Sequence, residues 1–133
     1  MLRSKKGFTL IELMVVVAII GVLALLGLRL YTGQQQKAKN AIVKANAGTI
    51  QTLLQAELAD ATFSAVEDML TTAPTVFTKS GIHVPDGGTQ DTNGTAVGEV
   101  EVIASDGVVF VVNGFSFSPD GGYVYLDPLT ARK

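Results

Sequence analysis

The sequence predicts an α+β protein: a long N-terminal helix, half transmembrane and half amphipathic, packed on a small antiparallel β-sheet. Three observations lead there. The run from Phe8 to Leu28 is apolar except for Thr9 and Glu12, about the length of a helix that crosses a bilayer. Apolar residues then recur near the 3.6-residue period as far as Ala61, which is helical patterning with one greasy stripe. From Ala96 onward, β-rich runs alternate with Gly- and Pro-containing turns, the pattern of short antiparallel strands.

The N-terminal segment carries the sharpest signal. Arg3, Lys5 and Lys6 precede Gly7-Phe8-Thr9-Leu10-Ile11-Glu12, and Leu13 to Leu28 follow without a charge. A helix satisfies its own backbone in lipid, so this stretch has one stable form there. Glu12 is the anomaly, because a carboxylate in hydrocarbon costs roughly 2.5–3.5 kcal/mol on insertion scales. An acid retained at that position calls for a partner charge. An ordinary secretory signal would end its apolar core at a small-residue cut site. Here Arg29-Leu30-Tyr31-Thr32 follows instead, and the absence of cysteine excludes a lipid-modified one. A plain single-span anchor, with Glu12 favoured by the helix dipole near its start, accounts for Glu12 alone. It leaves the basic leader, the glycine and the phenylalanine unexplained.

Lys6-Gly7-Phe8-Thr9-Leu10-Ile11-Glu12 before a long apolar run resembles the class III signal of bacterial type IV pilins and of the pseudopilins of type II secretion. The resemblance covers about residues 1–30. It implies that residues 1–7 are a leader, cut between Gly7 and Phe8 by a membrane prepilin peptidase. It implies N-methylation of the new terminus at Phe8. It gives Glu12 the role of pairing with the Phe8 amine of a neighbouring subunit during assembly. Residues 8–28 would be the transmembrane and assembly helix, and residues 29–133 a periplasmic or extracellular head. The N-terminus would lie in the cytoplasm, which charge alone leaves open because basic residues flank both ends of the span.

The amphipathic half of the helix is expected over about 29–62. Its apolar face reads Ile42, Ala45 or Ala47, Ile50, Leu53, Leu54, Leu58 and Ala61, with Lys39, Asn46, Thr49, Gln51 and Gln55 opposite. Many pilins place a proline near Arg29, where the helix unwinds in the filament; here there is none. Gly21, Gly27 and Gly33 are the weak points instead, each lowering helix propensity by about 1 kcal/mol relative to Ala, so any melting is expected between Gly21 and Gly33. Small residues such as Ala18, Gly21 and Ala24 also suit close helix packing in a fibre.

Ser64-Ala65-Val66-Glu67 matches a capping box and opens a short second helix that ends before Pro74. Residues 73–95 are expected as a loop, rich in turn dipeptides: Ser80-Gly81, Pro85-Asp86-Gly87-Gly88 and Asn93-Gly94. Ile82 to Val84 could form a short strand within it. The sheet is expected over about 96–127, with Glu99 and Glu101 on its solvent face. Ser105-Asp106-Gly107 reads as a hairpin turn and Val108 to Val112 as the buried strand. Asn113-Gly114 reads either as a turn or as a bulge within a longer strand reaching Phe117. Ser118 to Gly122 reads as a turn and Tyr123 to Leu126 as the last strand.

Charge divides the chain. The leader carries +3, residues 29–60 carry a net +2 and residues 61–133 a net −6, within a total of −2. An acidic head disfavours nucleic-acid binding, which needs clustered Lys or Arg, so no direct nucleic-acid partner is expected. Lys37, Lys39 and Lys44 form a basic neck that could pair with Glu57, Asp60 or head carboxylates of adjacent subunits. No catalytic set is visible: His83 is the one histidine, cysteine is absent, and Gly94 to Gly98 lacks the lysine of a phosphate loop. An enzyme is therefore not expected. Asn93-Gly94-Thr95 fits a glycosylation sequon but reads more simply as a turn.

Without cysteine, the C-terminal disulfide of many pilins is missing. Packing, hydrogen bonds or an ion must replace it, and Asp120 and Asp127 beside the last strand are the candidate calcium ligands. No other cofactor is expected. The expected partners are other copies in a helical homopolymer, other pilins, the prepilin peptidase and the inner-membrane assembly machinery. The chain would wait in the bacterial inner membrane and end in a surface pilus or periplasmic pseudopilus. Three functions fit: a pilus subunit serving motility, adhesion or DNA uptake; a type II secretion pseudopilin; or a membrane-anchored binding module that never polymerises.

Overall fold

The structure, a computed structural model, describes residues 7–118 and 122–132. Its elements are α1 (Leu10–Asp60), α2 (Phe63–Thr71), α3 (Thr75–Ser80), β1 (Val100–Ser105), β2 (Val109–Phe117), β3 (Tyr123–Tyr125) and β4 (Leu129–Arg132). The chain forms two compact units that divide between Gln35 and Gln36. The first unit contains the apolar part of α1. The second contains the rest of α1 and every other element, and it is here that the expected α+β packing of helix on antiparallel sheet is found.

In the second unit α1 buries Val43, Ala47, Ile50, Leu54 and Leu58. Their spacing of three and four keeps them on one face of the helix. Val43 takes the place expected for Ile42, which is 44% exposed. Of the two alanines left open, Ala47 is buried and Ala45 exposed. The apolar pattern allowed either neighbour, and the sheet decides. Leu53 and Ala61 pack from partly buried positions. Asn46, expected on the solvent face, is buried and donates from Nδ2 to the His83 carbonyl at 2.9 Å. The core is completed by Val66 and Leu70 of α2, Val76 and Phe77 of α3, and Val100, Val102, Phe110, Val112 and Ala131 of the sheet. Phe63 stacks on Phe110 with ring centroids 4.2 Å apart. Each large apolar side chain removed from water in this way contributes about 1.5–3 kcal/mol.

α2 is capped by Thr62, not by the expected Ser64; the Thr62 hydroxyl accepts from the Ala65 N–H at 3.4 Å. With this cap Phe63 is the first residue of α2 and stacks on Phe110. α3 falls where a loop was expected. It buries Val76 and Phe77 and closes on Gly81 in the left-handed conformation, which glycine adopts without strain. Ile82 to Gln90 make a single bridge, His83 with Thr89, rather than a strand.

The sheet is antiparallel with β2 at its centre. β1 lies along one side, from Val100↔Gly114 to Ser105↔Val109. β4 and β3 share the other side, β4 pairing with Val109 to Val112 and β3 with Phe115 to Phe117. The β1–β2 hairpin turns at Asp106-Gly107 as expected, both residues having positive φ. Asn113-Gly114 lies inside β2 and is not a turn. A Cβ on Gly114 would sit 3.0 Å from Val43 and from Leu126, so helix and sheet approach closely at that point. β1 begins at Val100 rather than near Ala96 because a turn intervenes. The Glu99 N–H reaches the Ala96 carbonyl, and Gly98, at φ +91°, bonds Phe115 as the left-handed first residue of a bulge.

β4 lies beyond the expected end of the sheet. Leu129-Thr130-Ala131-Arg132 is too short to show an alternation by itself. Its place is set by pairing with β2, by full burial of Ala131, and by Gln51 of α1, which donates to the Thr130 carbonyl at 2.8 Å. Packing and hydrogen bonds therefore fasten this cysteine-free C-terminal region. The outer edge of β1 is fastened by side-chain amides. Gln90 accepts from the Val100 N–H at 2.8 Å and donates to the Val100 carbonyl. Asn93 does the same for Val102, at 2.7 and 2.9 Å. A bare strand edge is a template for unwanted pairing, and these two residues occupy it.

Candidate functional site: the N-terminal helix

The first unit consists of a helix with nothing to bury it. Its residues are exposed without exception from Gly7 to Gln35. α1 contains a stretch long and apolar enough to cross a membrane, none of it covered by the protein itself. Isolated exposed apolar residues are ordinary, but a contiguous surface of this extent marks an interaction with lipid or with other chains.

At its start the structure brings together the residues that the sequence singled out. Gly7, Phe8, Thr9 and Glu12 line one open concavity of about 460 Å³. Gly7, Phe8 and Thr9 precede the helix, and the Phe8 ring is 84% exposed. Glu12 is not bare. Its Oε2 accepts from the Thr9 N–H at 3.0 Å and from the Thr9 hydroxyl at 2.7 Å, while the Glu12 N–H points back to the Thr9 hydroxyl at 3.4 Å. Thr9-Leu10-Ile11-Glu12 is thus a reciprocal capping box, in which the cap residue and the third helical residue satisfy each other's free groups. Thr9 was not among the expected residues of this candidate site, although the T-x-x-E spacing was its signal. The box gives Glu12 two hydrogen bonds, and among the described residues no opposite charge pairs with it.

Gly21, Gly27 and Gly33 lie within unbroken helix, and a Cβ at any of them would meet open space. Nothing in the chain itself requires glycine there. Such positions let a second backbone approach closely.

The basic neck is partly committed within the chain. Lys39 Nζ lies 2.5 Å from Asp86 Oδ1 and 5.0 Å from the centroid of the Phe117 ring. Glu57 pairs with Lys79 at 3.3 Å. Beside Lys39, the Asn40 amide accepts from the Phe117 N–H at 2.7 Å and donates to its carbonyl at 3.1 Å. Lys39 and Glu57 are therefore held by intrachain partners rather than left for adjacent subunits, and Asp86 is held by Lys39. Lys37 and Lys44 form no ion pair among the described residues.

Of the candidate calcium ligands, Asp127 is exposed and Asp120 lies outside the described residues, as do leader residues 1–6. Among the described residues no group of three or more His, Cys, Asp or Glu side chains could hold a metal. His83 is exposed, with Nδ1 2.9 Å from the Gly81 carbonyl. The sequon asparagine, Asn93, has its Nδ2 engaged with the Val102 carbonyl, and Asn93-Gly94 is not the expected turn: the Gly94 N–H bonds the Val100 carbonyl at 3.3 Å, so the segment runs beside β1.

One comparison with known sequences falls on the same segment. Residues 2–28 match the prokaryotic N-terminal methylation motif. Over 56 residues the chain is 46% identical to the fimbrial protein EcpB of Eikenella corrodens, covering 42% of this chain and 35% of that protein. The chain thus spans about a third of the length of that curated relative. No solved structure matches. The motif and the fimbrial relative together support a type IV pilin as the class of protein.

Proposed function

We propose that the chain is a structural subunit of a type IV pilus or a related filament, made as a membrane-held precursor and polymerised through α1. The observation that carries this reading is a methylation motif on a wholly exposed apolar helix with one acid near its start. In this reading prepilin peptidase cuts between Gly7 and Phe8 and methylates the Phe8 amine. The N-terminus faces the cytoplasm before assembly. Glu12 then exchanges its Thr9 contacts for the methylated amine of a neighbouring subunit, a charged partner that strengthens the bond in a medium of low dielectric. The apolar surface from Leu13 to Leu28 passes from lipid to the helices of other copies. Motility, adhesion or DNA uptake would belong to the assembled fibre and its inner-membrane machinery. A type II secretion pseudopilus uses the same processing and packing, and the location of the fibre separates the two.

Mass spectrometry of the protein isolated from its own cells tests the reading. The expected N-terminal peptide begins at Phe8 and carries one extra methyl group, and Gly7→Val leaves the leader attached. A natural chain that retains Met1, unmethylated, would overturn it.

A further inference from the structure

The surface of the second unit carries an open groove and, on α1, a cationic stripe whose lysines form no ion pair among the described residues. The groove lies between α2 and α3, has a volume of about 460 Å³, and is lined by Asp68, Met69, Thr72, Ala73, Thr75 and Lys79. Lys79 is engaged by Glu57 at 3.3 Å, so among the described residues the charge at the groove without an ion pair is that of Asp68, with exposed Glu67 next to it on α2. The stripe is Lys37, Ala41, Lys44 and Gly48 of α1, whose spacing of four, three and four aligns them on one side of the helix. Lys37, Ala41 and Lys44 are exposed, and a Cβ on Gly48 would meet nothing within 4 Å. Between the two lysines the stripe carries only the small side chain of Ala41, and Gly48 continues it beyond Lys44.

We propose that the α2–α3 groove receives the α1 neck of a second copy, with Lys37 and Lys44 of one chain facing Glu67 and Asp68 of the next. Opposite charge identifies the occupant, and helix geometry requires it to be another molecule. Glu57, which holds Lys79 at the groove, and Ala41, at the centre of the stripe, are joined by one continuous helix. At 1.5 Å per residue that helix keeps them about 24 Å apart. A groove and a ligand fixed at two levels of one rigid element meet only between copies, head to tail. Such a contact uses two different surfaces, so it is heterologous, and with a rotation that does not close a ring it repeats as a fibre. The inference rests on the filament reading and adds to it a contact outside the apolar helix, one with a defined direction.

Charge exchange in the full-length chain, assembled in cells and collected by sedimentation, tests it. Lys37→Glu with Lys44→Glu, and separately Glu67→Lys with Asp68→Lys, are each expected to reduce sedimented fibre about tenfold or more by placing like charges together. Combining all four substitutions is expected to restore fibre to near the wild-type amount. Circular dichroism of each variant checks that the exposed substitutions leave the fold intact. The cysteine-free sequence permits a second test that leaves the charges in place. Ala41→Cys with Ala73→Cys should give an oxidised ladder of multimers in fibres, and neither single variant should. Fibres that ignore the charge changes, fail to recover in the exchange, or give no ladder would overturn the groove contact alone. Absence of fibres from the wild-type chain would overturn the filament reading and this contact together.

Discussion

The two stretches of α1 on either side of Gln35 are alike in backbone and opposite in surroundings. From Leu10 to Gln35 no side chain is buried, whereas from Gln36 to Asp60 the helix buries six. Its polar groups also behave differently. In the first stretch Thr9 and Glu12 satisfy each other within one turn, while in the second Asn40, Asn46 and Gln51 each reach a backbone group at least 37 residues away in the chain. Helical propensity does not separate the stretches; partners do. The second has its partners in the chain, and the first has a surface that only lipid or other molecules can cover.

That contrast can be broken at several points, beginning with the largest effect. Glu12→Leu removes the only acid of the first stretch. It is expected to leave leader cleavage intact and head stability unchanged, yet to reduce sedimentable fibre by about an order of magnitude or more, given the strength of a desolvated charged hydrogen bond. Normal fibres in that variant would mean that Glu12 does not pair with a neighbouring subunit in assembly. Phe110→Ala and Leu23→Ala compare a core position with a bare one. Phe110 is fully buried, so its truncation should cost about 3–5 kcal/mol in denaturant unfolding of the head. Leu23 is 63% exposed, and its truncation should leave that unfolding within about 0.5 kcal/mol of wild type.

Asn40→Ala leaves the Phe117 N–H and carbonyl without their amide partner, and should cost about 1–3 kcal/mol. Faster hydrogen exchange at the Phe117 amide would report the loss locally. A smaller effect than that of Asn40→Ala is expected from Asp86→Asn. Asp86 is half exposed, so the ion pair with Lys39 should contribute no more than about 1 kcal/mol, and the difference should vanish at high salt. A large, salt-independent loss would mean that Asp86 holds the 84–95 segment in place rather than merely decorating it.

Much of this was legible in the residues. The apolar run, the Gly-Phe-Thr-Leu-Ile-Glu sequence, the Asp106-Gly107 turn and the stripe through Ile50, Leu54 and Leu58 are all local signals that survive without context. The misreadings share a cause. Val43 for Ile42 and Ala47 for Ala45 are choices of which neighbour faces the sheet, and only the sheet makes them. Thr62 rather than Ser64 is the cap, and it places Phe63, stacked on Phe110, at the start of the helix. α3 and β4 are six and four residues long, too short for periodicity to speak, and each exists because the core or β2 receives it. The amide clamps of Gln90 and Asn93 were invisible because turn residues serve as caps and turns far more often than as substitutes for a strand.

By itself, the sequence determined that the chain begins as an apolar helix with one acid near its start, because length and composition decide what a bilayer accepts. It also determined that sheet follows helix, because side-chain periods of two and 3.6 are written residue by residue. Only the tertiary structure decided which charges remain available. Lys39, Glu57 and Asp86 are consumed inside the head, and Lys37, Lys44 and Asp68 are left at its surface. The physical reason is that an ion pair needs two groups within a few ångströms, and residues 47 apart, such as Lys39 and Asp86, acquire that distance only when the chain folds.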